Sequence, residues 1–371
     1  MADVAKSRQR FVDAEERLFW LGFQRVPYIG PARISRLLDH FGSLGVAWAA
    51  LPAELATVLD ERAVESLVHV RSRLSLDHEQ ERLDRLGIRF VALSDSDYPF
   101  LLAQIAAPPP VLYYKGTLTE DDRQAIAVVG TRRATPYGRE VAHQLATGLA
   151  EARVTVVSGL ARGIDGIAHR AALKVAGRTL AILGSGVDVI YPSEHAALAE
   201  EIALNGAVIS EHAPGTKPDA VNFPARNRII SGLSQAVVVV EAPVKSGALI
   251  TCDFAADQGR DVFVVPGSIL SPVSSGCNKL LRDGARPVTC AADILDDANL
   301  GQRPEPTPVQ QSLLATDEER RILALLTNEP RHIDDLAAAA GLQITHGSIL
   351  LSMLELKGAV RNVGAQHYIR V

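Results

Sequence analysis

Between Ala125 and Val265 the chain repeats one pattern six times: three to five almost uniformly apolar residues, rich in β-branched types, then a loop and a helical stretch. The runs are Ala125–Val129, Val154–Val157, Thr179–Leu183, Ala207–Ile209, Ala236–Val240 and Val262–Val265, and they typically run into Gly, Ser or Glu. A strand with one face in water alternates apolar and polar residues; a strand buried on both faces does not. Helical stretches at Tyr137–Ala150, Ile164–Ala176 and Ala248–Gln258 separate the runs. Strand and helix in alternation predict a Rossmann-like, doubly wound parallel sheet of α/β class.

At 371 residues the chain exceeds one small core, and its composition changes along its length. Residues 1–75 read as a small helical domain, with helices at Phe11–Gly22, Pro31–Phe41 and Ala53–Leu59. Residues 76–123 read as a connecting segment leading into the α/β domain, with a helix at Asp77–Leu86, a strand at Arg89–Leu93 and a Pro108-Pro109-Pro110 run that cannot be helical. The α/β domain is expected over 124–297. A Pro/Gln-rich linker over 298–315 follows. Residues 316–371, with helices at Asp317–Thr327, Ile333–Ala340 and Ser348–Leu356 and a hairpin-like tail from Ala359, suggest a winged helix.

No stretch approaches the ~18 apolar residues of a membrane span, so a soluble cytoplasmic protein is expected. Cys252, Cys277 and Cys290 lack metal-ligand spacing and read as reduced thiols, with no metal or cofactor implied. A net charge of −5 means that any site for a polyanion must concentrate its cations locally.

That concentration falls at the loops after the strands, where open α/β sheets bind ligands. Gly130-Thr131-Arg132-Arg133 precedes a helix, whose N-terminus would offer N–H groups to an anion. Ser158-Gly159, with Arg162-Gly163 after it, leads to Asp165 and His169, four apart on one helix face. Without a nucleophile and base in reach they read as a structural pair that caps the helix and orients the loop rather than as a catalytic pair. Gly184-Ser185-Gly186 lacks the third glycine of a dinucleotide fingerprint. In Phe223-Pro224-Ala225-Arg226-Asn227-Arg228, the arginines suit phosphates, Asn227 a base or sugar, and Phe223 base stacking. Lys245-Ser246-Gly247 repeats the cation, hydroxyl and helix N-terminus arrangement, but GxxxxGK[ST] is absent.

Together GTRRATPYG (130–138), SGLARGIDGIAH (158–169), GSGVDVIYP (184–192), FPARNRIISGLS (223–234), KSGALIT (245–251) and VPGS…GCNKLLRDGA (265–285) resemble the DNA-processing protein A (DprA/Smf) family. YPFLLAQIAAPPPVLYYKG (98–116) resembles the segment leading into that domain, and the flanks resemble the family's helix-hairpin-helix-like and winged-helix modules. The resemblance implies a bacterial, non-enzymatic protein of natural transformation. Such proteins bind incoming single-stranded DNA without sequence preference, dimerise through the Rossmann-like domain and load RecA recombinase. Arg132 carries over most directly. One departure is visible: members often place basic residues after the Tyr-Pro motif, whereas here Ser193, Glu194 and Ala196 surround only His195.

The segment Val26–Arg33 reads like the hairpin of a helix-hairpin-helix, with Arg25, Arg33 and Arg36 nearby. The candidate recognition helix, Thr345–Leu356, carries one His, one Glu and no Arg or Lys, which favours a protein contact over groove reading. The competing function is a nucleoside-monophosphate phosphoribohydrolase of the lysine-decarboxylase-like Rossmann group. Its PGGxGTxxE loop has no counterpart in Ala242–Thr251, which lacks the Gly pair and the catalytic Glu.

Overall fold

The computed structural model describes residues 14–298, 300, 317–326, 331–356, 360–364 and 366–370. The start of the first expected helix and nearly all of the 298–315 linker lie outside the described residues. The chain forms two compact units, 1–301 and 302–371.

Six helices open the first unit: α1 (Ala14–Gln24), α2 (Pro31–Phe41), α3 (Leu44–Ala49), α4 (Pro52–Leu55), α5 (Glu61–Arg71) and α6 (Leu76–Leu86). Local chemistry sets their ends. Pro31 starts α2, where its missing N–H is no loss, and Gly42 closes it in the left-handed conformation with its N–H on the Leu38 carbonyl. Asp60 caps α5 by accepting the Ala63 N–H. The helix expected at Ala53–Leu59 corresponds to α4, which begins one residue earlier and stops at Leu55, whereas the sequence pattern passes over α3 and α5. Of the arginines near the α1–α2 hairpin, Arg25 faces Glu79 at 3.8 Å and Arg33 is held by Asp60 and the Tyr28 carbonyl.

The sheet follows, with nine strands. They are β1 (Arg89–Ala92), β2 (Val111–Gly116), β3 (Ala125–Val129), β4 (Thr155–Ser158), β5 (Thr179–Ile182), β6 (Ala207–Ser210), β7 (Ala236–Val239), β8 (Asp261–Val264) and β9 (Arg286–Pro287). Their order is β1-β2-β6-β5-β4-β3-β7-β8-β9. From β6 to β9 every pairing is parallel; β1–β2 and β2–β6 are antiparallel. The expected parallel sheet is therefore extended by an antiparallel edge from the connecting segment. Its helices are α7 (Phe100–Ala103), α8 (Pro136–Glu151), α9 (Ile164–Lys174), α10 (Ala196–Asn205), α11 (Asn222–Gly232), α12 (Gly247–Asp257), α13 (Ser275–Arg282) and α14 (Ala291–Asp297).

Burial on both faces explains the uniform apolar runs. In β3, Ala125, Ala127 and Val129 join the core beneath α11 and α12, while Ile126 and Val128 join the opposite core beneath α8 and α9. The chain winds outward from β3 through β4 and β5 to β6, then returns to place β7 on the other side of β3. The loops after β3 and β7 thus diverge and open a crevice at the carboxyl edge.

The second unit contains α15 (Asp317–Leu325), α16 (Ile333–Ala340) and α17 (Ile344–Leu356). A three-stranded sheet completes it, ordered β10 (Arg331–His332), β12 (His367–Arg370), β11 (Val360–Gly364). The β11–β12 hairpin is the expected wing, with β10 added. Among the described residues no single helix is long and apolar enough to cross a membrane.

Candidate nucleic-acid interface

A cleft of about 720 Å³ lies where the β3 and β7 loops part. The first loop brings Gly130, Thr131, Arg132 and Arg133 to one wall; Phe223, Arg226 and Asn227 line another, and Ser246 and Gly247 a third. These nine expected residues come together although as many as 117 positions separate Gly130 from Gly247.

The Gly130 loop is braced from below. Thr131 donates its N–H to the Glu241 carbonyl at 2.7 Å and accepts the Ile164 N–H at 3.2 Å. A Cβ on Gly130 would lie 2.6 Å from Ile164, so glycine here serves close packing of β3 under α9. Arg132 and Arg133 stay exposed and, among the described residues, neither meets a carboxylate. The Arg132 guanidinium stands 5.8 Å from the centre of the Phe223 ring, which in turn lies 5.4 Å from the Tyr191 ring. Tyr191, which the sequence reading passed over as a site residue, is half-exposed and lines the same cleft.

The α8 N-terminus, expected to receive an anion, already holds one. The Glu241 carboxylate, 2% exposed, accepts the Thr135 N–H at 3.0 Å and the Thr135 hydroxyl at 2.5 Å. It lies so close to the first turn that a Cβ on Gly138 would sit 2.2 Å from its Oε2. A charge at the end of β7 therefore neutralises the positive end of α8 from inside the protein. Nothing in the spacing of the sequence pairs Glu241 with Thr135.

The loop after β4 is likewise internal. Ser158 is fully buried and donates its hydroxyl to the Val128 carbonyl at 2.6 Å. Leu160 has a φ of 56°, an unfavourable conformation for a branched residue. The loop persists because Asp165 accepts the N–H groups of Gly159 at 3.1 Å and Ala161 at 3.3 Å. Burial raises the Asp165 carboxyl above the usual carboxylate range; Arg226 and the two N–H groups oppose that. Gly163, at φ 75°, packs where a Cβ would meet the Thr131 carbonyl at 2.3 Å.

Asp165 and His169 do not form the expected pair. His169 turns into the core and its Nδ1 lies 2.7 Å from the Thr179 hydroxyl. That hydroxyl gives its own proton to the Val156 carbonyl, so Nδ1 carries the imidazole proton. Burial pushes the His169 pKa down to about 3. Asp165 orients the loop, and His169 ties α9 to the sheet.

The Gly184-Ser185-Gly186 loop is scaffolding and does not line the cleft. Ser185 is buried with its hydroxyl on the Val189 carbonyl at 2.7 Å, Gly184 gives room to the Phe223 ring, and Gly186 to Asp188 and Ala213.

Both arginines expected to meet phosphates on α11 are committed to protein partners. Arg226 is 5% exposed and donates to the carbonyls of Gly159, at 2.7 Å, and Ile182. A desolvated guanidinium requires such acceptors. Burial lowers its pKa to about 10, with Asp165 working against the shift. Arg228 forms a bidentate pair with Glu211, both contacts at 2.6 Å, away from the cleft. Asn227 donates to the Gly247 carbonyl at 3.2 Å, joining α11 to the start of α12.

At the third wall Ser246 caps α12, accepting the Ala248 N–H at 3.3 Å, and a Cβ on Gly247 would meet nothing within 4 Å. This helix end is open, unlike that of α8. Lys245 is exposed beside the cleft rather than in its lining. A smaller recess of about 30 Å³ shares Arg132, Tyr191 and Phe223 with the cleft and adds Gly159 and Arg162.

Two family models match the chain: "DNA recombination-mediator protein A" over residues 89–299 and "DprA winged helix domain" over 303–366. Protein Smf from Synechocystis sp. is 37% identical over an alignment of 393 positions, spanning 96% of this chain and 99% of the relative. DNA processing protein A from Streptococcus pneumoniae superposes with a TM-score of 0.68 at 35% identity, covering 77% of this chain and 98% of that one. The Helicobacter pylori protein, whose structure is described for its single-stranded DNA binding mode, gives a TM-score of 0.51 at 30% identity, covering 57% and 94%. On these matches, which span both of its compact units, the chain belongs to the DprA/Smf family.

Proposed function

We propose that the protein binds single-stranded DNA by its phosphates along the β3–β7 cleft, in the cytoplasm, without catalysing a reaction on it. One observation carries the reading: Arg132 stands exposed at the mouth of the cleft, free of acidic partners among the described residues and stacked near Phe223. A cation beside aromatic rings meets the two chemical features every nucleotide offers, a phosphate and a π-face. Arg133, Lys245 and the open α12 end add positive potential; Phe223 and Tyr191 supply stacking surface. The single-stranded DNA binding described for the Helicobacter pylori relative agrees.

In this reading the protein, as a homodimer, protects strands taken up in natural transformation and hands them to RecA. No residue lining the cleft makes up a nucleophile with its base, and Ala242–Thr251 lacks the phosphoribohydrolase loop. Incubation with AMP should release no adenine.

The test is a titration of oligo-dT and a mixed-sequence strand against their duplexes at two salt concentrations. Arg132→Ala should weaken single-strand binding about tenfold for both sequences and flatten the salt slope by about 0.7. Equal affinity of the variant and the parent would overturn the assignment.

A further inference from the structure

Arg162 differs from Arg132 in one respect that bears on binding. It borders the small recess beside Arg132, Tyr191 and Phe223, yet it is already engaged. Its Nε and Nη2 meet the two oxygens of Glu194 at 2.9 and 2.8 Å, a fork-to-fork pairing. Both side chains remain more than half exposed, at 59% and 53%. Such a pair is weak in water, since each partner keeps much of its hydration and the two long side chains lose rotamer freedom.

The backbone on either side is fixed. Glu194 lies in a short 3₁₀ turn, Ser193–His195, and the next residue, His195, is buried with its Nδ1 2.9 Å from the Leu160 carbonyl. Leu160 belongs to the Asp165-braced loop that also carries Arg162. The carboxylate is thus presented to the guanidinium by an anchored segment, at the rim of the cleft. In planarity and charge a carboxylate chelating a guanidinium imitates a phosphate doing the same.

Building on the reading of the cleft as a single-strand site, we propose that Glu194 is an affinity-setting residue: a resident competitor for Arg162 that a DNA phosphate must displace. The hydrogen bond from Arg162 holds the Glu194 carboxyl below its ordinary range, so it competes in its ionised form at neutral pH. Displacement changes the ion balance in a readable way. A phosphate that reaches Arg162 releases a counterion from the strand, but the freed Glu194 recruits a cation in its place. The two nearly cancel, so in the parent protein Arg162 adds little to the salt dependence.

Replacing the acid removes that cancellation. Glu194→Gln should bind single-stranded DNA about fivefold more tightly at roughly 0.1 M salt, with a salt slope steeper by about 0.7, the value for one more phosphate contact on a single strand. In an Arg162→Ala background the same substitution should change affinity less than twofold. Equal gains in both backgrounds would show that Glu194 acts by general repulsion, and no gain in either would show that Arg162 does not reach the strand; either result overturns the proposal. Arg132→Ala, titrated on the same oligonucleotides, keeps the two readings apart. If it weakens binding while Glu194→Gln changes nothing, the cleft is the site and the competitor is not real. If Arg132→Ala is also without effect, the single-strand reading of the cleft itself fails.

Discussion

The loop after β3 and the start of α11, three strands later, each carry a pair of arginines, and they use them oppositely. After β3, Arg132 and Arg133 stay in water and, among the described residues, no carboxylate pairs with them. At the start of α11, Arg226 lies under the cleft floor with its protons on backbone carbonyls, and Arg228 is clamped by Glu211. Residue type is the same; burial decides the role. A guanidinium taken out of water must find acceptors at once, and a fully committed group has little left for a ligand.

The sharpest way to break this comparison is to remove the buried member. Arg226→Met should destabilise the protein by about 3–5 kcal/mol, because Asp165 loses the cation that offsets its burial. Denaturant unfolding measures it; an unchanged midpoint with impaired DNA binding would mean that Arg226 serves the ligand after all.

His169 extends the same logic to a group that can lose its charge. Its pKa falls from 6.5 to about 3 on burial, so the unfolded chain binds the extra proton between those values. Stability from this group is full above about pH 6.5 and is lost as pH falls toward 3. The slope approaches about 1.4 kcal/mol per pH unit. His169→Asn should flatten that part of the stability profile; a profile identical to the parent's would place the pH sensitivity elsewhere.

The exposed pair should behave the other way. Arg132→Ala should leave the unfolding midpoint within about 0.5 kcal/mol of the parent while binding falls. The smallest effect is expected from Lys245→Ala, about two- to threefold in affinity at low salt and vanishing at high salt, since it lies beside the cleft lining. If Lys245 proved the larger contributor, the strand would follow the β7 loop rather than the β3 loop.

What could be read from the sequence follows the range of the interactions. The parallel strands were legible because burial on both faces leaves its mark residue by residue, as in AIAVV at 125–129. β2 was missed: VLYYKG follows a proline run and ends in Lys-Gly, and its antiparallel place beside β6 depends on a partner about ninety positions later. The site loops were legible as a set because the strand ends of such a fold converge. Their division into ligand-facing and structural groups was not. Arg226 is fixed by a carbonyl 67 positions away, and Thr135 meets Glu241 across 106. Spacing along the chain carries no trace of such pairs.

The carboxylate of Glu241 also limits what shape of guest the fold can host. A small phosphorylated metabolite docks on such a scaffold by placing its one dense charge against the helix that follows the first parallel strand. Here that berth is occupied by a built-in tenant that cannot leave without unseating Thr135 and the α8 turn. A compact anion arriving there meets like charge. On the proposed reading an extended anion bypasses the berth and spreads its charges over Arg132, Arg133 and Lys245, a route that needs no seat at the α8 end.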